Sequence, residues 1–370
     1  MKKVLFIFGT RPEAIKLAPL VSVFKSSKDF DVKVCVTAQH REMLDQVLSF
    51  FEIKPDYDLN IMSPGQTLPT LTAALIQKIT DEVLLKDSFD YVFVQGDTTT
   101  VMAGSIAAYY QKISVVHIEA GLRSGNIYSP FPEEMNRILT SKISRFHFCP
   151  TPKSQQNLHD EGINENVFVV GNTVIDALLE GIKKVESMDQ KVFFDYFKGI
   201  DFDKKIILLT CHRRESFGEP FKDICKAVNE IAATYPDMEI VYPVHLNPNI
   251  KENAHKYLTQ KNIKLITPLE YPYLIWLMNK SFLVLTDSGG IQEEAPSLGK
   301  PVLVLREVTE RTEGVDAGTA KLVGTDTKKI VTETKKLIDD KAHYASVANS
   351  VNPYGNGTTS QQILEILAKA

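Results

Sequence analysis

The sequence has few cysteines, and they are not spaced for metal binding or for a redox pair. The four cysteines among the 370 residues are Cys35, Cys149, Cys211 and Cys225. None of them forms a CxxC pair, so neither a zinc site nor a catalytic disulfide is expected. Reduced thiols in the cytosol are the simpler interpretation. We therefore expect no metal and no redox chemistry at these residues.

Long apolar runs are also missing. After Lys2 and Lys3, only the five apolar residues Val4–Phe8 precede a polar Gly-Thr-Arg segment. This run is too short for a secretory signal and far too short to cross a bilayer, and no later segment approaches about 20 apolar residues. The sequence predicts a cytoplasmic protein that does not bind membranes.

The chain has no large excess of charge of either sign. Lys and Arg number 42 against 46 Asp and Glu, for a net charge of −4. Proteins that bind nucleic acids are usually strongly basic, so a nucleic-acid partner is not expected. An anionic ligand must then be held by local positive groups rather than by the field of the whole protein.

Three familiar cofactor and metal motifs are absent. The chain contains neither the dinucleotide fingerprint GxGxxG nor the phosphate loop GxxxxGK[ST], and it has no HExxH pair. Hydride transfer and ATP hydrolysis therefore lose their strongest sequence support. We expect no cofactor.

A repeated pattern of short apolar strand, polar turn and helix indicates two doubly wound α/β domains. We expect an N-terminal domain over 1–170, a C-terminal domain over 171–355 and a closing helix over 356–370 that packs on the N-terminal domain. The segment Lys183–Lys204 has no clear strand period and is interpreted as a connection. The predicted strands are Val4–Phe8, Val32–Thr37, Tyr91–Val94, Ser114–Ile118, Phe146–Cys149, Val167–Val170, Lys205–Thr210, Glu239–Pro243, Ile263–Thr267, Phe282–Leu285 and Pro301–Leu305.

Polar motifs follow the predicted strands, which is where ligands bind in open parallel sheets. Two such domains imply a ligand cleft between them. Arg11 and Lys16 open the helix after the first strand and favour an anion there, although a capped helix with solvated cations explains them equally well. Ser288, Gly289 and Gly290 form a second strand-to-helix turn that lets a phosphate approach the backbone.

The residues around that second turn leave two interpretations open. Glu294 lies one turn into the helix and is placed to accept hydrogen bonds from ribose hydroxyls. The alternative is an ordinary glycine-rich turn with no ligand. The apolar helix around Trp276 is interpreted as core.

Three carboxylates at successive strand ends indicate acid–base chemistry. Asp97 and Glu119 each follow a strand, and Glu133 lies in a loop shortly afterwards. Asp97 precedes three threonines and could instead cap a helix. Glu119 sits between an apolar strand and Ala-Gly, where a carboxylate has little local structural purpose.

A histidine beside two arginines suits an electrostatic clamp on phosphate. His212 is followed by Arg213 and Arg214, and one of the two guanidinium groups is expected to be structural. His245 is more ambiguous, because it could be an ordinary hydrogen-bonded histidine.

These clusters, in this order, resemble the non-hydrolysing UDP-N-acetylglucosamine 2-epimerases of bacteria. The resemblance extends from Phe8 to Gly357. It implies two Rossmann-like domains with a glycosyltransferase-B-like cleft, a homodimer and no nicotinamide. The matching stretches are FGTRPEAIKLAPL, TAQHREMLDQVL, GDTTTVMAG, IEAGLRSG, PFPEEMNR, GNTVIDAL, HRRESFG, YPVHLNPN, TDSGGIQEEAPSLGKPVLVLR, ERTEGV, GTAKLVGTD and NPYGNG.

The resemblance also implies roles for individual residues. It assigns the reacting sugar to Asp97, Glu119 and Glu133 and the diphosphate to His212. Relatives with an activator pocket for a second UDP-N-acetylglucosamine match this chain at Gln39 and His245 but not at Glu42 and Gly65. The residues that it assigns to the nucleotide are Arg11, Lys16, Ser288, Gly289, Gly290, Glu294 and Arg311.

This chain departs from the family pattern at a few positions. Gln95 stands where a histidine often precedes Gly-Asp, and Cys211 replaces a glycine or threonine. Leu269 and Leu274 occupy positions where Gln and Phe can meet uracil.

The implied reaction interconverts UDP-N-acetylglucosamine and UDP-N-acetylmannosamine at C2, through elimination of UDP and its re-addition to a 2-acetamidoglucal, for surface polysaccharide synthesis. The alternatives are an epimerase of a related UDP-2-acetamido sugar, a hydrolysing epimerase, a retaining UDP-sugar glycosyltransferase and a UDP-sugar sensor without activity.

Overall fold

The apolar runs of the sequence form two parallel sheets, each in its own compact unit. Unit 1 comprises Met1–Glu180 together with Tyr354–Ala370, and unit 2 comprises Gly181–Pro353. The computed structural model describes residues 1–38, 41–63, 65–213 and 217–370, apart from the side chain of Asn249.

The sheet of unit 1 has seven parallel strands in the described residues, in the order β3-β2-β1-β4-β5-β6-β7. The strands are β1 (Lys2–Phe8), β2 (Phe30–Val36), β3 (Tyr57–Asp58), β4 (Tyr91–Gln95), β5 (Ser114–Ile118), β6 (Phe146–Cys149) and β7 (Val167–Val169). The helices are α1 (Arg11–Ser26), α2 (Arg41–Phe50), α3 (Leu68–Ile79), α4 (Thr99–Tyr110), α5 (Glu133–Ile143), α6 (Pro152–Asp160) and α7 (Thr173–Ser187), which runs on into unit 2. A π-helical turn, Thr80–Leu84, extends α3.

The sheet of unit 2 has six parallel strands in the same described residues, in the order β10-β9-β8-β11-β12-β13. Its strands are β8 (Lys205–Thr210), β9 (Met238–Pro243), β10 (Ile263–Ile266), β11 (Leu283–Thr286), β12 (Val302–Val304) and β13 (Ala320–Leu322). The helices are α8 (Gln190–Tyr196), α9 (Glu219–Thr234), α10 (Pro248–Tyr257), α11 (Tyr271–Lys280), α12 (Gly289–Glu294), α13 (Thr312–Asp316), α14 (Thr327–Asp339) and α15 (Lys341–Ala348). The last helix of the chain, α16 (Thr359–Lys369), belongs to unit 1.

The predicted α/β class with parallel sheets is confirmed, and so are the predicted strands to within a residue or two at their ends. The sequence did not reveal β3 or β13, because two or three residues are too few to show a period. In each sheet the chain reverses direction of winding between two central strands, β1 and β4 in unit 1 and β8 and β11 in unit 2. Such reversal points are where ligands bind in doubly wound folds.

Aromatic rings join two neighbouring central strands of unit 1 to its first helix. Phe6 of β1 stacks on Phe93 of β4 with ring centroids 4.4 Å apart, and Phe24 of α1 meets Phe93 edge-on at 5.1 Å. All three side chains are fully buried. Burial of such a side chain contributes about 1.5–3 kcal/mol relative to exposure, so this cluster fixes α1 on the sheet beside the reversal point.

Residues 183–204, interpreted from the sequence as a connection between the two halves, belong to unit 2 and are largely helical. The segment holds the end of α7 and the whole of α8. Trp276 of α11 stacks between Phe193 and Phe197, at centroid distances of 5.3 and 5.4 Å. The aromatic residues of this segment pack α8 against α11. The interpretation of the Trp276 helix as core is confirmed.

The end of unit 1 does not coincide with the division expected at 170 and 355. Val174, Ile175 and Leu179 of α7 pack with Tyr354, so the first half of α7 stays with unit 1. The closing helix α16 packs against α1. Two hydrogen bonds from the Thr359 and Ser360 amides to Asp176, at 3.3 and 2.7 Å, hold its start in unit 1.

No helix in the described part of the chain is long and apolar enough to span a membrane.

Candidate active site

Asp97 and Glu119 lie at the same edge of the sheet in unit 1, because they follow two neighbouring parallel strands. Gln95 of β4 is in register with Ile118 of β5, and Glu119 comes directly after β5. Glu133 is the first residue of α5, the helix that follows. Thr98, not Asp97, caps α4, since its hydroxyl accepts the Val101 amide at 3.4 Å. The helix-cap alternative for Asp97 is therefore wrong.

Glu119 is buried and held by three nitrogen donors. Its carboxylate pairs with the ammonium of Lys16 and accepts from the side-chain amide of Gln95. The other oxygen, Oε1, lies 3.4 Å from Nδ2 of Asn172. The backbone of Glu119 has φ of +62°, a left-handed conformation that is uncommon for residues other than glycine. Strain of this kind costs of order 1–3 kcal/mol and clusters at functional sites.

Asp97 is fixed by the helix that begins with Glu133. Its Oδ2 accepts from Nε of Arg137 at 2.8 Å and lies 2.7 Å from Nη2 of the same guanidinium. The amide of Asn136 donates to the main-chain oxygen of Asp97 at 2.9 Å. Arg137 is itself buried.

The two glutamates at the start of α5 differ in their surroundings. Glu134 is buried, pairs with Nη1 of Arg137 at 2.7 Å, and accepts the backbone N–H groups of Ser124 and Gly125 at 2.9 and 3.1 Å. Glu133 is partly exposed and forms no hydrogen bond or ion pair with any residue that the structure describes. Glu133 is thus the unpartnered acid of this group, and Glu134 is structural.

Another buried carboxylate, Glu13, ties together the turns that follow β1 and β4. It accepts the amides of Gly9 and Thr10 at 2.9 and 2.7 Å and the hydroxyl of Thr98 at 2.5 Å. Burial raises the pKa of the Glu13 carboxyl, against these hydrogen bonds. The turn carrying Arg11 is therefore anchored beside the turn carrying Asp97.

The two cations expected at the nucleotide, Arg11 and Lys16, have different surroundings. Arg11 is the first residue of α1 and is partly exposed. Lys16 is one turn further along, and its ammonium lies on Glu119. Lys16 thus contacts the group of carboxylates in unit 1, and its role at the nucleotide stays a prediction.

In unit 2, the reversal point between β8 and β11 brings His212 against Asp287. The fully buried Asp287 accepts the amides of His212 and Arg213 at 2.7 and 2.8 Å, and its Oδ1 lies 3.1 Å from Nδ1 of His212. Burial by itself raises the pKa of Asp287, but the hydrogen bonds and charge of His212, with the two amides, outweigh it and hold that pKa below its usual value. Arg214 lies outside the described residues.

His245 lies beside His212. The two imidazole rings are nearly parallel, with centroids 5.8 Å apart, and burial together with the charge of His212 lowers the pKa of His245. Tyr242 donates its hydroxyl proton to the main-chain oxygen of Cys211 at 2.6 Å, which fixes the chain just before His212. Gln39, the other residue matched to an activator pocket, lies outside the described residues.

The glycine-rich turn of unit 2 is packed against Arg311. Ser288 precedes α12, which is only six residues long. A Cβ on Gly289 would lie 3.2 Å from Cζ of Arg311, whose guanidinium pairs with Glu293 at 2.8 Å. The small size of Gly289 thus allows a paired guanidinium to lie over the turn.

Glu294, the last residue of α12, is buried. Its Oε1 accepts the hydroxyl of Tyr271 at 3.2 Å.

No group of three or more His, Cys, Asp or Glu side chains in the described ranges is arranged to hold a metal ion.

Sequence reasoning missed the residues that orient the expected ones. These are Asp287, Arg137, Asn136, Glu134 and Asn172, while Gln95 was noted only as a departure from the family pattern. Asp287 could have been found from the adjacency of β8 and β11, which any doubly wound order gives. Arg137 lies one turn after Glu134, a spacing typical of ion pairs on a helix.

Two doubly wound parallel units, with acid–base side chains at the strand ends of one and a histidine and glycine-rich turn at those of the other, define a glycosyltransferase-B-like enzyme fold. The matching family model is described as UDP-N-acetylglucosamine 2-epimerase and covers residues 23–368. The chain belongs to this family, as the sequence resemblance predicted.

Individual relatives agree over the whole length. The UDP-N-acetylglucosamine 2-epimerase of Escherichia coli (strain K12) is 54% identical over 369 residues, covering 99% of this chain and 98% of that protein. The crystal structure of the Neisseria meningitidis UDP-GlcNAc 2-epimerase bound to UDP-GlcNAc is 52% identical, with a TM-score of 0.92 and 100% of both chains covered. The Methanocaldococcus jannaschii enzyme in complex with UDP-GlcNAc and UDP is 37% identical, with a TM-score of 0.82 and full coverage of both chains.

Proposed function

We propose that this protein interconverts UDP-N-acetylglucosamine and UDP-N-acetylmannosamine, by eliminating UDP to a 2-acetamidoglucal and adding it back. One observation carries the proposal. Asp97 and Glu119 lie together at the ends of adjacent strands, with Glu133 on the next helix, in a chain that is 52% identical to an enzyme crystallised with UDP-GlcNAc. The product would serve bacterial surface polysaccharides.

The chemistry requires that the anomeric bond weaken before C2 is deprotonated. The C2 hydrogen is not next to a carbonyl, so a carboxylate alone cannot remove it. When the C1–O bond breaks, its electron pair leaves with UDP and the positive charge at C1 acidifies C2–H. Loss of that proton leaves its electron pair as the C1=C2 bond of the glycal. Proton return to the opposite face, followed by attack of UDP on C1, inverts C2.

Inversion needs proton-transfer groups on both faces of the sugar ring, and one side chain cannot serve both. Asp97, Glu119 and Glu133 supply the candidates. General acid–base catalysis of this kind contributes about 10²–10⁴-fold, or roughly 3–5.5 kcal/mol of barrier. Lys16, paired with Glu119, would hold that carboxylate in place until substrate binds.

Unit 2 would stabilise the departing diphosphate. His212, whose Nδ1 lies 3.1 Å from Oδ1 of Asp287, would donate from Nε2, and Arg311 lies over the turn at Gly289. Each charge-assisted hydrogen bond contributes about 1.5–3 kcal/mol, so several are needed for a leaving group of this charge. Ser288 and Gly290 would add backbone amides, Glu294 would accept from ribose, and Arg11 would add a further cation.

Assembly, location and regulation complete the proposal. We place the enzyme in the cytoplasm as a homodimer, in keeping with four cysteines that are free thiols. Activation by a second UDP-N-acetylglucosamine at Gln39 and His245 also belongs to the proposal. The stacking of His245 on His212 supports it, because an occupant touching His245 would lie beside the diphosphate residue.

Proton NMR in heavy water tests the reaction. Purified protein with UDP-N-acetylglucosamine should give UDP-N-acetylmannosamine and deuterium at C2 of both epimers, with UDP still attached. Free N-acetylmannosamine would instead show a hydrolysing enzyme, transfer only on addition of an acceptor would show a glycosyltransferase, and unchanged substrate would show a sensor. Inversion with the original hydrogen retained at C2 would refute the mechanism.

A further inference from the structure

The two oxygens of Asp97 are in different situations. Oδ2 is bound twice by Arg137, by Nε at 2.8 Å and by Nη2 at 2.7 Å. Among the residues that the structure describes, none forms a hydrogen bond or ion pair with Oδ1. The side chain of Asp97 is 26% exposed, whereas that of Arg137 is 6% exposed. The carboxylate is therefore held from its buried side and open on the other.

The guanidinium that holds Asp97 is itself held in place. Its Nη1 donates to Oε2 of Glu134 at 2.7 Å, and Oε1 of Glu134 is fixed by the amides of Ser124 and Gly125. Burial lowers the pKa of Arg137, but Asp97 and Glu134 raise it more, so the guanidinium stays charged.

The main chain of Asp97 is fixed from the same helical turn. The amide of Asn136 donates to the carbonyl of Asp97 at 2.9 Å. The side chain and the main-chain carbonyl of Asp97 are thus both bound to residues in the first turns of α5, the helix that begins with Glu133. A network of this kind orients a catalytic carboxylate more precisely than a loop does by itself.

We propose that Arg137 is a positioning residue that holds Asp97 with Oδ1 facing the sugar, so that Asp97 serves one face of C2 only. The proposal rests on the proposed epimerase reaction. In the epimer whose C2–H points at Oδ1, the proton passes to Oδ1, the C2–H electron pair forms the C1=C2 bond, and the C1–O pair leaves with UDP. When that epimer is re-formed, Asp97 returns the proton to the same face. The other epimer is deprotonated by a different group.

If Asp97 serves one face only, loss of Arg137 should affect the two epimers differently. Loss of a merely structural residue would affect both alike. Without Arg137, elimination from one epimer is slow, while elimination from the other, and its re-formation, continue. In heavy water, one epimer should then gain deuterium at C2 without epimerising, while the other keeps its hydrogen. A general loss of structure would slow exchange in both epimers alike.

The experiment compares exchange at C2 for each purified epimer in heavy water by proton NMR. We expect Arg137→Met to slow epimerisation by about 10²–10⁴-fold, the contribution of a general acid–base group. Exchange in one epimer should fall by the same factor, and exchange in the other should stay within about threefold of wild type. The apparent KM should change little. Because Glu134 loses its buried partner in this variant, the double variant Arg137→Met/Glu134→Gln is measured with it and should show the same asymmetry.

Partial rescue identifies the group responsible. Arg137→Lys keeps the charge but not the two-pronged geometry, so it should recover part of the lost rate. Guanidinium chloride added to the more severe variant should restore exchange in the impaired epimer.

Arg123 provides the matched control. It forms an equally buried two-pronged pair with Glu161, at 2.6 and 3.0 Å. Arg123→Lys should leave the ratio of the two exchange rates unchanged.

The outcomes separate the two proposals. If Arg137→Met and the double variant slow exchange equally in both epimers, or if neither slows it, Arg137 does not act through a one-sided Asp97 and the inference fails. If the wild-type protein incorporates no deuterium at C2, the proposed function fails first.

Discussion

The carboxylate of Asp287 binds the backbone of His212 and lies against its ring. Oδ1 lies 3.1 Å from Nδ1 of the imidazole, and Oδ2 accepts the His212 and Arg213 amides. A carboxylate beside Nδ1 orients the ring so that Nε2 becomes the atom available to a ligand. The paired threonines at the ends of β8 and β11, whose hydroxyls are 2.6 Å apart, hold the two turns in register.

Replacing that carboxylate should impair catalysis through His212. In Asp287→Asn the single carbonyl oxygen must serve both backbone amides, which turns the side-chain NH₂ toward Nδ1 and removes the negative charge beside the imidazole. The loss of charge-assisted bonds worth about 1.5–3 kcal/mol should lower kcat/KM by about ten- to a hundredfold. Initial rates of epimerisation measure this.

A double-mutant cycle tells whether the effect passes through the histidine. The variant combining His212→Asn with Asp287→Asn should be no slower than His212→Asn alone. Independent, additive losses would show that Asp287 acts in some other way.

Glu119→Gln should abolish turnover while UDP still binds. The amide cannot exchange a proton with C2, so kcat should fall by at least about 10²-fold, the lower limit for a general acid–base group. The dissociation constant of UDP, measured by calorimetry, should stay within a few fold of wild type. A matched control is Glu239→Gln, since Glu239 is also buried and its Oε1 lies 3.6 Å from the ammonium of Lys264. Wild-type activity in Glu119→Gln would remove this residue from the catalytic group.

Gly289→Ala should weaken nucleotide binding more than it slows turnover. The new methyl group would lie 3.2 Å from Cζ of Arg311 and displace the guanidinium by a few tenths of an ångström. Misplacing one charge-assisted bond partially should raise the apparent KM by about three- to tenfold, with kcat nearly unchanged. Steady-state kinetics on the UDP-sugar measures both.

Gly104→Ala is the control for that substitution. A Cβ there meets side chains only at 3.6 Å, an ordinary contact, and alanine is the better helix former in α4. Equal effects from the two variants would contradict the role given to Arg311.

Two buried histidines should make unit 1 less stable in mild acid. Burial lowers the pKa of His117 to about 3 and that of His147 to about 4. Between pH 6.5 and about 4 the unfolded chain binds a proton at each site and the folded chain does not. Stability is therefore fully present above pH 6.5 and falls as the pH drops, by up to about 1.4 kcal/mol per pH unit for each histidine.

Replacing one of these histidines measures its contribution to the pH dependence of the free energy of unfolding. The difference in free energy of unfolding between His147→Gln and wild type should change by about 1.4 kcal/mol per pH unit between pH 6 and 5. Above pH 7.5 the difference should be constant. Urea titrations followed by far-ultraviolet circular dichroism provide the measurement, and a difference independent of pH throughout would refute the assignment.

The strands and the main site residues were predictable because local sequence determines them. Val4–Phe8 and Lys205–Thr210 are apolar enough to be read as buried strands, and Asp97 and Glu119 follow strands directly. The edge strand β3 was missed because two residues carry no periodic signal.

The partners of the site residues were less predictable because they depend on tertiary contacts. Lys16 lies 103 positions from Glu119, and Asp287 lies 75 from His212. The different surroundings of the two Asp97 oxygens depend on the position of α5. No local sequence pattern predicts that position. The sequence thus predicts the acidic residues of the site but not the residues that orient them.

The docking of α16 on α1 has a consequence for how the protein is made. Lys2 near the start of the chain donates to the carbonyl of Leu367 near its end, and Ile363 and Leu367 are fully buried. A ribosome therefore finishes unit 2 while unit 1, begun first, still exposes the surface that α16 will cover. The half that carries the carboxylates is therefore the last to be completed, although most of it precedes unit 2 along the chain.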